Sequence, residues 1–148
     1  MRYYLAYGSN LNVDQMNWRC PGAKIVDTAI IKGWELSFKG SKTGSYLTID
    51  KALHGSVPVA VWAVTEADEA ALDRYEGFPS FYFKRDFIVT FDRSGEKHRC
   101  FAYIMRSDAK YGLPTHGYYF TCAEGYRNFG FDEKYLEDAV KLSSRRYA

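Results

Sequence analysis

Residues 57–78 read VPVAVWAVTEADEAALDRYEGF, a β-branched run that changes character at Thr65. Val57 to Val64 has the composition of a strand, and the residues after it carry the marks of a helix. Thr65 begins a capping-box pattern with Asp68 three residues on, Ala67, Ala71 and Tyr75 fall on one face, and Gly77 supplies a left-handed stop. The short helix therefore ends on Glu76. A carboxylate there meets the negative pole of the helix dipole, where a cation is preferred by about 0.3–1 kcal/mol. The dipole pushes the pKa of Glu76 upward, as would burial beside Tyr75, Phe78 and Phe81. A glutamate raised in this way is a useful base near neutral pH. The competing reading is a solvated glutamate at a frayed helix end, although sites that violate a local preference are where function is expected.

Working outward, Arg2 to Tyr7 (RYYLAY) reads as a tyrosine-rich strand that Gly8-Ser9-Asn10 ends sharply. Asn12 is placed to cap a helix from Val13 to about Trp18, with Gln15 at the capping-box position, before Cys20-Pro21-Gly22 breaks it. Lys24 to Phe38 is strand-like with Gly33 interrupting, and Tyr46 to Ile49 is a further short run. Pro58 implies an edge or a strand start. Phe81 to Phe91 and Lys97 to Arg106 read as two long strands joined by Asp92-Arg93-Ser94-Gly95, a hairpin signal. Tyr118 to Asn128 and Asp132 to Leu142 read as helices, the second capped by Asp132 and divided from the first by Gly130. Runs of strands with helices inserted between and after them argue against βαβ alternation, so the class is α+β. A sheet of this size could remove its exposed edges by curling, and the expected architecture is a small mixed β-barrel with flanking helices.

The 148 residues fit one domain. Lys and Arg number 20 against 18 Asp and Glu, and the signs are interspersed, so no basic stripe points to nucleic acid or a membrane surface. Met1-Arg2 leads straight into a strand pattern, which argues against a signal peptide, and no apolar run is long enough for a membrane span. Cys20, Cys100 and Cys122 are odd in number and widely spaced, so three reduced thiols in a cytoplasmic protein are expected. His54, His98 and His116 show no metal-ligand spacing, and no metal is expected. The aromatic surplus either covers a homodimer face or fills the barrel.

Two features carry chemistry. The first is Glu76. The second is Tyr7-Gly8-Ser9-Asn10, a strand that turns through glycine into a loop just before a helix, where successive N–H groups can form a nest for a carboxylate or an oxyanion. An ordinary tight turn with Asn10 or Asn12 as a cap is the plainer reading. GxSxG, Walker, HExxH and dinucleotide patterns are absent, Ser9 has no evident histidine base, and Cys20 beside Pro21 looks structural. One base and one anion nest suit a reaction whose nucleophile belongs to the substrate, since the protein then supplies only proton transfer, orientation and charge stabilisation.

The segments YGSNLNVDQMNWRCPGA (7–23), VWAVTEADEAALDRYEGFPSFYFKR (61–85), FAYIM (101–105) and YYFTCAEGYRNFGFDEKYL (118–136) resemble, in this order, the γ-glutamylcyclotransferase family. The YGSN opening and the LDxxEG segment are the specific parts. The resemblance implies a small β-barrel with flanking helices and a cofactor-free reaction that releases 5-oxoproline from a γ-glutamyl amino acid or γ-glutamyl amine. Glu76 matches the catalytic glutamate, Tyr7, Gly8, Ser9 and Asn10 match the substrate-binding turn, and Tyr103 and Tyr118 match pocket tyrosines. Both tyrosines also suit half-buried core positions in a strand and a helix. Arg19 matches a family position with its role open. The family often has glycine near Asp27 and at Val59, and larger residues there are expected to narrow one pocket wall. The leaving group is expected to contact loops such as Lys39 to Ser45 and Asp108 to His116. Two alternatives stand beside this reading: a γ-glutamyl deprotection enzyme of a biosynthetic pathway, with a larger acceptor pocket, and a barrel that only binds a small ligand.

Overall fold

The structure, a computed structural model, describes residues 1–147. Its elements are β1 (Arg2–Ala6), a 3₁₀ turn (Ser9–Leu11), α1 (Val13–Arg19), β2 (Lys24–Lys39), β3 (Tyr46–Val64), α2 (Glu66–Glu76), β4 (Phe83–Thr90), β5 (Lys97–Ile104), α3 (His116–Phe129) and α4 (Lys134–Tyr147). The five strands form one sheet in the order β2-β3-β1-β5-β4. The expected α+β class is what the chain adopts.

The central strand is β1. It runs antiparallel to β3 from Arg2 opposite Val64 to Ala6 opposite Ala60, and parallel to β5 at Tyr4 opposite Phe101. Leu5, Ala60, Val61 and Phe101 are accordingly buried in the core. The two runs at Tyr46 and Val57 are one long β3, antiparallel to β2 over nearly its whole length. Pro58 lies inside this strand rather than at its start, but the β1 ladder stops at Ala60, so β3 has no β1 partner at the proline.

The expected barrel does not close. Among the described residues the edge strands β2 and β4 share no ladder. Asp27 takes the N–H groups of Thr28, Arg93 and Ser94 at 2.7–3.2 Å, so the turn after β4 spends its donors on a side chain. Burial would raise the Asp27 pKa, but these backbone donors hold it below the usual carboxylate range. Around it, Asp92 N donates to Thr28 O at 2.9 Å and Trp34 meets Phe87 edge to face at 5.2 Å. Side chains and one loop contact stand in for the missing strand pairing.

Two elements position the site. The capping box of α2 forms as expected: Asp68 N donates to Thr65 Oγ1 and Thr65 N to Asp68 Oδ2, both at 3.1 Å, while Gly77 takes the left-handed conformation at φ 64°. The side of α2 that carries Glu69 and Asp73 is pinned by Lys84, at 2.6 and 2.9 Å from their carboxylates. Asn12 caps α1 by accepting from Gln15 N at 3.1 Å, and its Nδ2 donates to Glu124 Oε1 at 2.6 Å on α3. An added Cβ at Gly125 would lie 2.6 Å from Asn12 N and from Leu11 Cβ, so only glycine lets α3 seat against the 3₁₀ turn. Asp132 caps α4 through Lys134 N at 2.9 Å, and that helix continues well past Leu142.

Candidate active site

A cavity of about 370 Å³ opens between the end of α2 and the 3₁₀ turn. Its wall holds all seven residues singled out from the sequence, Glu76, Tyr7, Gly8, Ser9, Asn10, Tyr103 and Tyr118. Residues from both ends of the chain and its middle thus converge on a single volume, in the size range of small-molecule sites.

Asn10 joins the two halves. Its Oδ1 accepts a hydrogen bond from Arg19 Nη1, and its Nδ2 faces Tyr4 Oη at 2.9 Å and Glu76 Oε1 at 3.4 Å. A guanidinium offers donors only, so Arg19 fixes which end of the Asn10 amide turns toward Glu76. Arg19 also donates to Gln15 Oε1 at 3.1 Å and lies over the Tyr75 ring at 3.4 Å, while Tyr75 Oη meets Ser9 Oγ at 3.0 Å. The expected capping role of the Gln15 side chain is replaced by this contact.

Burial pushes the Glu76 carboxyl up to about 8, with the Arg19 charge pulling in the opposite direction. The expected direction holds, with burial as its cause, and Tyr75 and Phe81 line the same cavity as Glu76. Tyr75, Phe78 and Phe81 are each more than a third exposed, whereas the Glu76 charge bears on Tyr4, Tyr7, Tyr82 and Tyr118, whose hydroxyls burial raises well above the ordinary tyrosine value. Withdrawn from water, the carboxylate loses solvation that its 3.4 Å contact with Asn10 Nδ2 does not replace, so its neutral form is favoured.

The opposite wall is the loop. The N–H groups of Gly8, Ser9 and Asn10 find no acceptor among the described residues, and all three residues line the cavity. Gly8 keeps the loop thin: a Cβ there would come within 3.3 Å of Tyr118 Oη and 3.5 Å of Leu47 Cβ. Tyr118 Oη in turn accepts from Leu47 N at 3.1 Å, and Tyr7 Oη donates to Tyr103 O at 2.6 Å. Tyr103 donates to Asp73 Oδ1 at 2.6 Å, so the tyrosines are both core and cavity wall.

The family model described as gamma-glutamyl cyclotransferase, AIG2-like, matches residues 4–121. The chain belongs to this family. A mouse gamma-glutamylcyclotransferase is 25% identical over 97% of this chain and 80% of its own length. A solved structure of a gamma-glutamyl cyclotransferase superposes with a TM-score of 0.82 at 25% identity, covering 93% of this chain and 85% of its own. A crystal structure of an uncharacterised human protein reaches the same TM-score at 27% identity with the same coverage.

For a gamma-glutamyl cyclotransferase family member the cavity contains more than its motifs advertise. Tyr4, Tyr46, Leu47, Tyr75, Phe81 and Tyr82 also line it. The tyrosine-rich first strand is a signal for Tyr4, because Tyr4 and Asn10 come together as soon as the chain turns at Gly8. Asp27 and Val59 do not line the cavity, so their size leaves its wall unchanged: Asp27 anchors the turn after β4, and Val59 is fully buried within β3.

Proposed function

We propose that this protein cyclises the γ-glutamyl group of a small γ-glutamyl amino acid or γ-glutamyl amine, releasing 5-oxoproline and the free amine. The observation that carries the reading is Glu76, raised to about 8 and facing a loop with unpaired N–H groups across one cavity. Ionised Glu76 takes a proton from the substrate α-ammonium, and the freed amine attacks the γ-carbonyl carbon. A C–N bond closes the five-membered ring. The tetrahedral oxyanion then collapses and the bond to the leaving nitrogen breaks; Glu76 returns its proton to that nitrogen, and the ring nitrogen sheds its second proton to solvent, leaving the neutral lactam and the free amine. One residue serves as base and then as acid, for which a pKa near the working pH is suited.

The N–H groups of Gly8, Ser9 and Asn10 hold the substrate carboxylate or the developing oxyanion, as backbone nests do for anions. Asn10 Nδ2 steadies the Glu76 carboxylate, and the walls of Tyr7, Tyr103 and Tyr118 confine the flexible γ-glutamyl chain in a folded shape that brings amine and carbonyl together. Membership of an enzyme family supports the reaction class. The test is 5-oxoproline release from a panel of γ-glutamyl amino acids, γ-glutamyl amines and glutathione. Release by wild type that Glu76→Gln abolishes is expected; release that survives the substitution removes Glu76 from the reaction.

A further inference from the structure

The outer part of the cavity is aromatic and continuous. Phe81 N donates to Gly77 O at 2.8 Å, folding the chain so that the Phe81 ring stands beside the residue that comes after Glu76. The far tip of that ring reaches Gly40, where an added Cβ would meet Cζ at 2.9 Å. Tyr46 packs edge to face on Phe81 at 5.9 Å and on Tyr118 at 5.0 Å, and Tyr118 Oη backs Gly8. Three rings therefore link the helix end that carries Glu76 to the anion loop. Tyr46 is 42% and Phe81 43% exposed, so these two stand at the mouth, whereas the polar groups Asn10 and Tyr4 lie deep.

With the γ-glutamyl end on the polar floor, the leaving amine occupies the mouth, against Tyr46 and Phe81. The loops expected to contact it, Lys39 to Ser45 and Asp108 to His116, contribute no cavity-lining residue; Gly40 acts only from behind Phe81. Among the residues that line the cavity Glu76 is the only carboxylate, so the mouth offers a cationic leaving group no acidic partner of its own. We infer that the leaving amine carries an aromatic or bulky apolar group, which Tyr46 and Phe81 cover, and that these two residues set substrate choice.

The inference rests on the proposed cyclisation, and the test separates the two. Initial rates of 5-oxoproline release are measured for wild type, Tyr46→Ala and Phe81→Ala on γ-glutamylphenylalanine, γ-glutamylglycine and γ-glutamyl-1,4-diaminobutane. The same three compounds are titrated calorimetrically into Glu76→Gln. Wild type is expected to favour the phenylalanine compound over the glycine compound by about tenfold in kcat/KM, the scale on which an apolar pocket discriminates. In each variant that ratio falls toward one, and because it is a ratio, partial misfolding cancels from it. A wild-type ratio at or below one, a ratio that persists in both variants, or preference for the diamine overturns the inference while leaving cyclisation standing. Silence in the rate assay with calorimetric preference for the phenylalanine compound overturns cyclisation while the aromatic subsite stands. Silence with no preference overturns both.

Discussion

Asn10 turns its amide nitrogen to Glu76 and its oxygen to Arg19, so the cation on α1 reaches the carboxylate on α2 through a single side chain. Arg19 lies outside the cavity wall, yet its charge pulls the Glu76 pKa down. Removing the charge lets the carboxyl rise further and frees the Asn10 amide to rotate. Arg19→Met is therefore expected to move the acidic limb of the pH–rate profile to higher pH and to lower kcat at pH 7. Arg19→Lys, which keeps the charge but loses the fork and the stacking on Tyr75, is expected to shift the limb less. Superimposable profiles for the three proteins would show that Arg19 only holds the helix end.

Glu76→Gln tests the base directly. The glutamine keeps the size and the contact with Asn10 but cannot accept a proton, and loss of a general acid–base typically lowers rate by about 10²–10⁴-fold. Substrate binding is expected to persist, because the nest and the tyrosines are untouched. In wild type the rate is expected to climb through an acidic limb near pH 8, where the Glu76 carboxyl ionises. A flat wild-type profile from pH 5 to 8 speaks against a proton-accepting role.

The same carboxyl should weaken the fold. Below about 4.5, the ordinary value, both folded and unfolded states hold the proton; between there and about 8 only the folded state does, so stability falls as pH rises and levels off above 8. The accumulated loss is on the order of a few kcal/mol. Glu76→Gln has no such penalty, so its stability advantage over wild type is expected to be absent at pH 4 and to grow up to pH 8. Denaturant unfolding at a series of pH values reads this, and an advantage independent of pH contradicts the buried, raised carboxyl. Gain in stability with loss of turnover is what a functional residue held in an unfavourable place produces.

The range of each interaction decides how far the sequence discloses it. The helix ending at Glu76 is legible because its cap, stop and apolar face are all local to Thr65 through Gly77. The turn at Gly8-Ser9-Asn10 is legible because a strand that meets those three residues is brought to an end there. β3 reads as two pieces in the sequence because Asp50 to Ser56 is mostly polar with Gly55 inside it; Asp50, Lys51 and Ser56 pair with β2 across a register shift, and none of the seven residues is buried, so the stretch lacks the apolar pattern of a buried strand. The unclosed sheet, the placement of Tyr46 and the reach of Arg19 to Glu76 depend on contacts between elements distant in sequence. Side-chain type alone carries no sign of them.

At Gly125 two effects oppose each other. Replacing a glycine inside a helix by alanine ordinarily gains about 1 kcal/mol from reduced freedom of the unfolded chain. Here the new Cβ would lie 2.6 Å from Asn12 N and Leu11 Cβ and 2.7 Å from Leu11 C, two of these being backbone atoms that cannot swing away. Overpacking of this kind costs about 1–3 kcal/mol, so the clash is expected to win and Gly125→Ala to unfold at lower denaturant than wild type. The strain falls on the 3₁₀ turn that carries Ser9 and Asn10, so the surviving folded fraction should bind substrate more weakly, with a raised KM. Gly117→Ala is the control, since nothing lies within 4 Å of a Cβ there. Equal behaviour of the two alanine variants in both unfolding and KM would mean that α3 does not hold the anion loop in place.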